Sequence, residues 1–446
     1  MLDINQIDIS NIVENWLIEF NEIIQKTKNK NSKKDFSRVF HKDSHWRDLV
    51  AFTWQIITFS DIQNIEKEFL KCISNQNISN FSIDLNRTKP RKVKRGGKTT
   101  IEAILTFSTK FGIGESVIRL TSEKGNNGRY KCWSLLTSLS SLGSSGSKKI
   151  NQVENIKNFK APNWLDIRNY EKIYEDKQPT VLVVGSGQAG LSIAARLKQL
   201  CIDTLIIDKN ERIGDNWRNR YHSLTLHNQT HVNHLPYMPF PDTWPTYIPK
   251  DKLAGWFEYY AESMELNVWP RTKFIKADYN EEKKEWIVET KINEEETKFL
   301  YPKHIVMAVG VSSIPQKPKI KGLDNFSGKI IHSAEHKSGK SFKDKNVLVF
   351  GTGTSAHDVS QDLYANDANV TMVQRSPTMI VNLEPSAQLP YALYQEGPNT
   401  QDCDLIAISS PLSVLKKTHQ MFTKQSKKLD KVLLNNLENI GFVLDY

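Results

Sequence analysis

Val181-Leu182-Val183-Val184-Gly185-Ser186-Gly187-Gln188-Ala189-Gly190 is the stretch that decides how most of this chain is read. Four consecutive apolar residues are the pattern of a strand buried on both faces. They run straight into a Gly-x-Gly-x-x-Gly turn, after which Leu191, Ala194, Ala195, Leu197 and Leu200 recur at helical spacing. A second apolar strand is expected over Thr204–Ile207, with Asp208 at its end, 23 residues after Gly185. Each part has a physical task. Gly185 permits the tight turn, Gly187 lets a pyrophosphate approach the backbone, and Gly190 lets helix and strand pack closely. The N-terminus of that helix offers unpaired N–H groups and the positive end of its dipole. A carboxylate at Asp208 can accept from the hydroxyls of an adenosine ribose. Strand, turn, helix and acid together predict a dinucleotide site.

The arrangement recurs. Asn346–Phe350 reads as a strand, Gly351-Thr352-Gly353-Thr354-Ser355-Ala356 as the turn, 357–363 as the start of a helix and Asn369–Val373 as the next strand. Ala356 takes the place of the third glycine, a tolerated change at the packing position. The second strand ends not in an acid but in Gln374-Arg375-Ser376. A cation there suits the 2′-phosphate of NADP and removes the acid that would repel it, so NADPH is expected rather than NADH. Two such units imply two nucleotides, and one donor–acceptor pair accounts for both: NADPH reducing a flavin, with FAD at the first site.

Further residues carry a family resemblance. Ile213-Gly214-Asp215-Asn216-Trp217-Arg218, Tyr221-His222-Ser223-Leu224, Leu235-Pro236-Tyr237-Met238-Pro239-Phe240-Pro241, Val306-Met307-Ala308-Val309-Gly310 and Phe326-x-Gly328-x-x-x-His332 lie in order. With them, the segment from about 180 to 375 resembles the flavin-containing monooxygenases, including the plant auxin-synthesis branch and bacterial relatives. The resemblance implies an α/β chain with two Rossmann-like dinucleotide-binding domains, for FAD and NADPH. It also implies oxygenation of a small organic substrate with O₂, and flavin contacts from Asn216, Trp217 and Arg218. The family's asparagine beside the flavin falls at His227, with Asn228 next to it, and these two are the catalytic candidates. His332 and Ser333 are expected at the linker or against NADP. The chain departs from the family pattern at His336, where Tyr or Phe is usual, and at Val309 and Asp215. The family also returns to its FAD domain after the NADPH domain, and nothing in 376–446 resembles that return. The second domain is therefore expected to be C-terminally incomplete. Two alternatives stay open beside a working monooxygenase: a truncated, non-catalytic nucleotide-binding or association protein, and an NADPH oxidase-like flavoprotein.

Ahead of these units lies a small α+β domain. Ile12, Val13, Trp16, Leu17, Phe20, Ile23 and Ile24 predict an amphipathic opening helix, and a second is expected over 62–72. Strands are expected over 81–85, 100–107, 116–121 and 129–137, with a turn at 124–128. The order of helices then sheet resembles the SnoaL-like cone, with Trp46-Arg47-Asp48 and Cys132-Trp133 as local hints. Asp48 and His45 read either as an acid/base pair or as a structural pair at a strand edge. The Ser/Gly-rich run 138–149 marks a joint. The expected segments are 1–140 for the cone, 141–178 for the linker, 179–335 for FAD and 336–446 for NADPH.

Composition bounds the rest. The 446 residues suffice for two to four domains, and no apolar run approaches a membrane span. The opening MLDINQIDIS has no basic region followed by an apolar stretch, so no secretory leader is expected. Cys72, Cys132, Cys201 and Cys403 form no CxxC, which predicts neither a disulfide framework nor a zinc site and makes a reducing cytoplasm the expected compartment. His227, His231 and His234 lack the acid or thiol companions of a metal centre, so no metal is expected. The net charge of +10 is spread along the chain apart from Arg87, Lys89, Arg91, Lys92, Lys94, Arg95 and Lys98. Without interleaved aromatics that cluster reads as a solvated hairpin rather than a nucleic-acid face. The expected partners are a small-molecule substrate and O₂, with neither nucleic acid nor membrane, and with a homodimer left open.

Overall fold

The computed structural model describes residues 4–28, 35–123, 129–143, 161–311 and 314–445. The expected turn at 124–128 and residues 144–149 of the joint at 138–149 lie outside them. The chain forms two compact units: 1–147 with 381–433, and 148–380 with 434–445. This division differs from the four consecutive segments expected, because residues 381–433 pack with the first unit.

The first unit opens with α1 (Ile4–Lys28), β1 (Phe40–Leu49), β2 (Ile56–Ser60) and α2 (Ile62–Gln76). It continues with β3 (Ser79–Ile83), β4 (Arg91–Arg95), β5 (Lys98–Thr109), β6 (Gly112–Ser122) and β7 (Tyr130–Leu139). The sheet runs β2-β1-β7-β6-β5-β3, with β4 also on β5. All pairings are antiparallel except β1 with β7. Strand alternation sends Ile101, Ala103, Leu105 and Phe107 toward α1 and α2, where Trp16, Phe20, Phe36, Phe40 and Phe69 build an aromatic core. The opposite face carries Leu49, Ile104, Val117 and Leu136, and Leu405 and Ile406 cover it. Those two residues belong to α8 (Thr400–Ile408), which is followed by α9 (Leu412–Leu429) and α10 (Lys431–Asn439).

On the face covered by α8, Glu102 and Arg119 stand opposite each other in register and pair at 3.0 Å, both 1% exposed. Arg119 also donates to the Ile406 carbonyl at 3.0 Å and to Ser410 Oγ at 3.2 Å. Arg91 and Arg95 pair with Glu102 at 2.9 Å and reach Glu396 as well. Arg87 pairs with Asp402 at 2.8 Å, and Thr88 N donates to the same carboxylate at 2.8 Å. Three of the seven cations read as a solvated face are thus committed to carboxylates on β5 and in the 381–433 segment. Lys92 and Lys94 are exposed.

The second unit contains α3 (Trp164–Ile173), β8 (Val181–Val184), α4 (Gln188–Gln199), β9 (Thr204–Ile207) and α5 (Asp215–Arg218). Then come β10 (Thr225–Gln229), β11 (Tyr247–Pro249), α6 (Lys250–Ser263), β12 (Asn267–Trp269), β13 (Thr272–Asn280), β14 (Glu285–Ile292), β15 (Glu296–Leu300) and β16 (His304–Met307). The parallel sheet β12-β9-β8-β16 is the first Rossmann-like core, and β13-β14-β15 is an antiparallel sheet packed on it. β17 (Asn346–Phe350), α7 (Thr354–Ala365) and β18 (Asn369–Val373) form the second nucleotide-type unit, whose parallel sheet has two strands. Among the described residues, no helix is long and apolar enough to cross a membrane.

Candidate functional site

The first glycine turn is built by burial beneath it. Val181 and Val183 pack toward α4 and α6, while Leu182 and Val184 pack toward β14 and β15. Gly185 follows at φ +107°, and a Cβ there would lie 2.5 Å from the Ala308 carbonyl oxygen. At Gly190 a Cβ would lie 1.8 Å from the carbonyl oxygen of Gly185, so helix and turn can approach this closely only with glycine. Gly187 differs: a Cβ would meet only Asn216 Nδ2, at 3.4 Å. No side chain caps α4, which leaves its first amides facing the open side of the turn.

Asp208 stands at the end of β9, as its spacing requires. Its Oδ2 accepts from Ser186 N and Ser186 Oγ, each at 2.7 Å, and Oδ1 accepts from Asn210 N at 2.8 Å. The carboxylate therefore clamps the glycine turn itself, with lone pairs left for a ribose hydroxyl. Trp217 Nε1 donates to Gln188 Oε1 at 3.3 Å, which brings α5 to the start of α4. Asn216 is exposed beside Gly187. Arg218 pairs with Asp215 and, at 3.1 Å, with Glu258, so its guanidinium binds α5 to α6.

β10 carries the catalytic candidates. Leu226 points into the core beside β8, His227 is exposed, and Asn228 is half-buried with its carbonyl accepting from Asn233 Nδ2 at 3.4 Å. His234 Nδ1 accepts from Phe240 N at 2.9 Å, and burial holds His231 below its ordinary pKa. Among the described residues no group of three His, Cys, Asp or Glu is placed to hold a metal ion.

The second turn repeats the first with more open surroundings. Gly351 sits at φ +114°, and no heavy atom lies within 4 Å of a Cβ built at Gly351 or Gly353. Gly353 precedes α7 without a side-chain cap, and Ser355 and Ala356 fill the first turn. Arg375 and Ser376 are exposed just past β18. Gln374 is tied through its side chain to Val443 N and O, both at 2.8 Å. Val347, Val349 and Val370 pack against α7, whereas Leu348 and Phe350 are 53% and 51% exposed. Unlike β8, this strand is covered on one face.

Two aspartates on this unit, Asp358 and Asp362, escaped sequence reasoning. Tyr221 OH donates to Asp358, and His336 Nε2 lies 2.8 Å from Asp362 Oδ2. The i,i+4 spacing of two aspartates on the helix after the glycine turn was visible; their partners, over a hundred residues away in one case, were not. His332 caps a short turn, its Nδ1 accepting from Ala334 N at 3.1 Å. In the first unit, His45 Nδ1 meets Ser60 Oγ at 2.9 Å, whereas buried Asp48 accepts from Phe52 N, Thr53 N, Thr53 Oγ1 and Thr137 Oγ1. Asp48 is a loop clamp, and with His45 turned to Ser60 the two take different partners rather than forming either of the expected pairs.

Known proteins match the same part of the chain. Residues 182–401 match the family model described as pyridine nucleotide-disulphide oxidoreductase. The probable indole-3-pyruvate monooxygenase YUCCA10 of Arabidopsis thaliana is 32% identical over 209 residues, 46% of this chain and 55% of that protein. The probable indole-3-pyruvate monooxygenase YUCCA3 of the same plant is 35% identical over 208 residues, 46% of this chain and 48% of that protein. A solved flavin-containing monooxygenase from Stenotrophomonas maltophilia superposes with a TM-score of 0.43 at 19% identity, covering 52% of this chain and 69% of that one. The chain spans about half the length of the curated relatives it matches. Residues 182–401 thus resemble the pyridine nucleotide-disulphide oxidoreductases, and 46% of the chain is similar to plant proteins described as probable indole-3-pyruvate monooxygenases.

Proposed function

We propose that the second unit binds FAD at residues 185–190 and NADPH at residues 351–356, and that the protein is a flavin-dependent monooxygenase acting on a small organic substrate with O₂. The observation that carries this reading is the pair of unobstructed glycine turns, each leading into a helix N-terminus that no side chain caps. Gly187 and the first amides of α4 would take the FAD pyrophosphate, and Gly353, Ser355 and Ala356 that of NADPH. Asp208 would accept from the FAD ribose while holding Ser186 in place. Asn216 and Trp217 would line the flavin side of the first turn, and Arg218 would brace them through Glu258. Arg375 and Ser376 would supply charge-assisted hydrogen bonds to the 2′-phosphate. Bound flavin supplies hydride acceptance and the chemistry with O₂; the chain binds, orients and shields it. His227 and Asn228 are the candidates to face the reacting centre. The first unit is taken as a SnoaL-like association module, through which a homodimer would form, and the compartment as cytoplasmic.

The test is the visible spectrum of the purified protein. Flavin bands that bleach with NADPH under nitrogen are expected. A colourless protein that cannot be reconstituted with FAD sinks the proposal. After re-aeration, an oxygenated product is expected, and free peroxide alone would mark an NADPH oxidase-like flavoprotein instead. A second reading, nucleotide binding without turnover, draws support from the two-stranded sheet with its half-exposed Leu348 and Phe350. Flavin bands that NADPH binds beside but never bleaches would favour it.

A further inference from the structure

Two contacts reach the helix of the second nucleotide unit, one from the loop after α5 of the first fold and one from the connector that leads into β17. Tyr221, 3% exposed, donates to Asp358, and His336, 2% exposed, meets Asp362 Oδ2 at 2.8 Å. Asp358 and Asp362 lie one helical turn apart and so share a face of α7. The Asp362 carboxylate also accepts from Gly339 N at 2.7 Å and from Asn366 Nδ2 at 3.2 Å. A carboxylate only accepts here, so His336 Nε2 carries the proton. Burial, and then the hydrogen bond to Asp358, push the Tyr221 phenol upward, which keeps it a donor. The two loops are stitched to each other as well: His222 N donates to the Lys337 carbonyl at 2.8 Å, and Lys337 Nζ to that of Asn219. Tyr221 lies four positions after Trp217, which touches the first turn.

This mount has a mechanical consequence. Thr354 begins α7 at the second glycine turn, and Asp362 follows eight residues later, about 12 Å along the axis at 1.5 Å per residue. A tilt of roughly 10° about an unanchored Asp362 would move the turn by about 2 Å. Displacements of about 1 Å can cost ~100-fold in a reaction that needs its atoms ~3–3.5 Å apart.

We propose that Tyr221 and His336 are positioning residues that, through Asp358 and Asp362, set the aim of the second nucleotide turn and hence the reach of its nicotinamide toward the first. This rests on the assignment of NADPH and FAD given above. The experiment compares the full-length holoprotein with His336→Phe, His336→Gln and Tyr221→Phe. Gln keeps an N–H near the position of Nε2. Calorimetry gives the affinity for 2′,5′-ADP, which reads the glycine turn alone, and for NADPH, which also reads the nicotinamide half. Anaerobic stopped flow gives the rate of flavin bleaching. In the two Phe variants 2′,5′-ADP is expected to bind within ~2-fold of wild type. The advantage of NADPH over 2′,5′-ADP shrinks by ~5-fold or more, bleaching slows by at least ~10-fold, and His336→Gln recovers most of both. Wild-type affinity ratios and rates in both Phe variants overturn the proposal. So does a parallel loss of both ligands that Gln does not rescue, which marks a purely structural role. A wild-type protein that binds NADPH but never bleaches defeats the redox assignment instead, and the affinity ratio still decides the positioning role. Wild type that binds neither ligand defeats both.

Discussion

Replacing Glu102 with Gln removes the anion from the middle of a buried guanidinium cluster. Its Oε1 accepts from Arg91 Nη2 and Arg95 Nη2 at 2.9 Å, and its Oε2 from Arg95 Nε at 2.9 Å and Arg119 Nε at 3.0 Å. Burial alone would raise its pKa. The charge of Arg119 and the hydrogen bonds from Arg95 overcome that effect and bring the carboxyl from its ordinary 4.5 down to about 2. The difference corresponds to about 3 kcal/mol in favour of the ionised folded form. Breaking a buried ion pair from one side costs ~3–5 kcal/mol by independent reasoning. Glu102→Gln is therefore expected to lower the stability of the first unit by about 3 kcal/mol at pH 7. The folded value lies below the unfolded one, so the contribution is complete above pH 4.5 and is lost as pH falls toward about 2. Wild type should lose stability across that window, and the variant should lack that part of the slope. Hydrogen exchange of the β5 and β6 amides suits a two-unit chain, because it reads the unit rather than the whole. A loss below ~1 kcal/mol at pH 7 together with an unchanged acid slope would refute the reasoning.

Three further outcomes follow from the same geometry. Gly190→Ala puts a Cβ 1.8 Å from the Gly185 oxygen; strain of ~1–3 kcal/mol should cut the flavin bound per chain, and full flavin content would contradict the assignment of this turn. Arg375→Ala should weaken NADPH by ~10–100-fold through a lost charged hydrogen bond and leave NADH within ~2-fold, as measured by titration; equal losses for both would count against a 2′-phosphate contact. Asp402→Asn weakens an acceptor that holds Arg87 Nη1 and Thr88 N, each at 2.8 Å; trypsin should then cleave within 381–433 several-fold faster, and an unchanged rate would argue that apolar packing alone docks this segment.

What could be read from sequence was local. The first nucleotide fold declares itself within about thirty residues because strand, turn, helix and acid are consecutive there. The helices α1 and α2 follow from apolar periodicity, and so do most strands of the first sheet. β1 was missed because Phe40-His41-Lys42-Asp43 looks polar, and its place is set by parallel pairing with β7, some ninety residues on. Glu102 in Thr100-Ile101-Glu102-Ala103 takes the alternate position of a strand, which reads as a solvent face. Only the arrival of α8 makes it buried. The basic cluster failed for the same reason, since its acidic partners Glu396 and Asp402 lie about three hundred residues away. At the candidate site the glycines, Asp208 and Arg375 stand where spacing put them. The partners of Asp358 and Asp362, and the bracing of Arg218 by Glu258, are tertiary and left no mark in any window.

The first unit is assembled from two stretches of chain, 1–147 and 381–433, so its integrity does not depend on an unbroken backbone between them. A protein cut once near residue 147 should migrate as a single particle on a native gel and as two bands once denatured. The piece 1–147 alone would present Leu49, Ile104, Val117 and Leu136 to water beside the Glu102–Arg119 pair, and should precipitate on expression. Supplying 381–433 as a separate peptide should return it to solution, which makes the segment a folding partner able to act in trans.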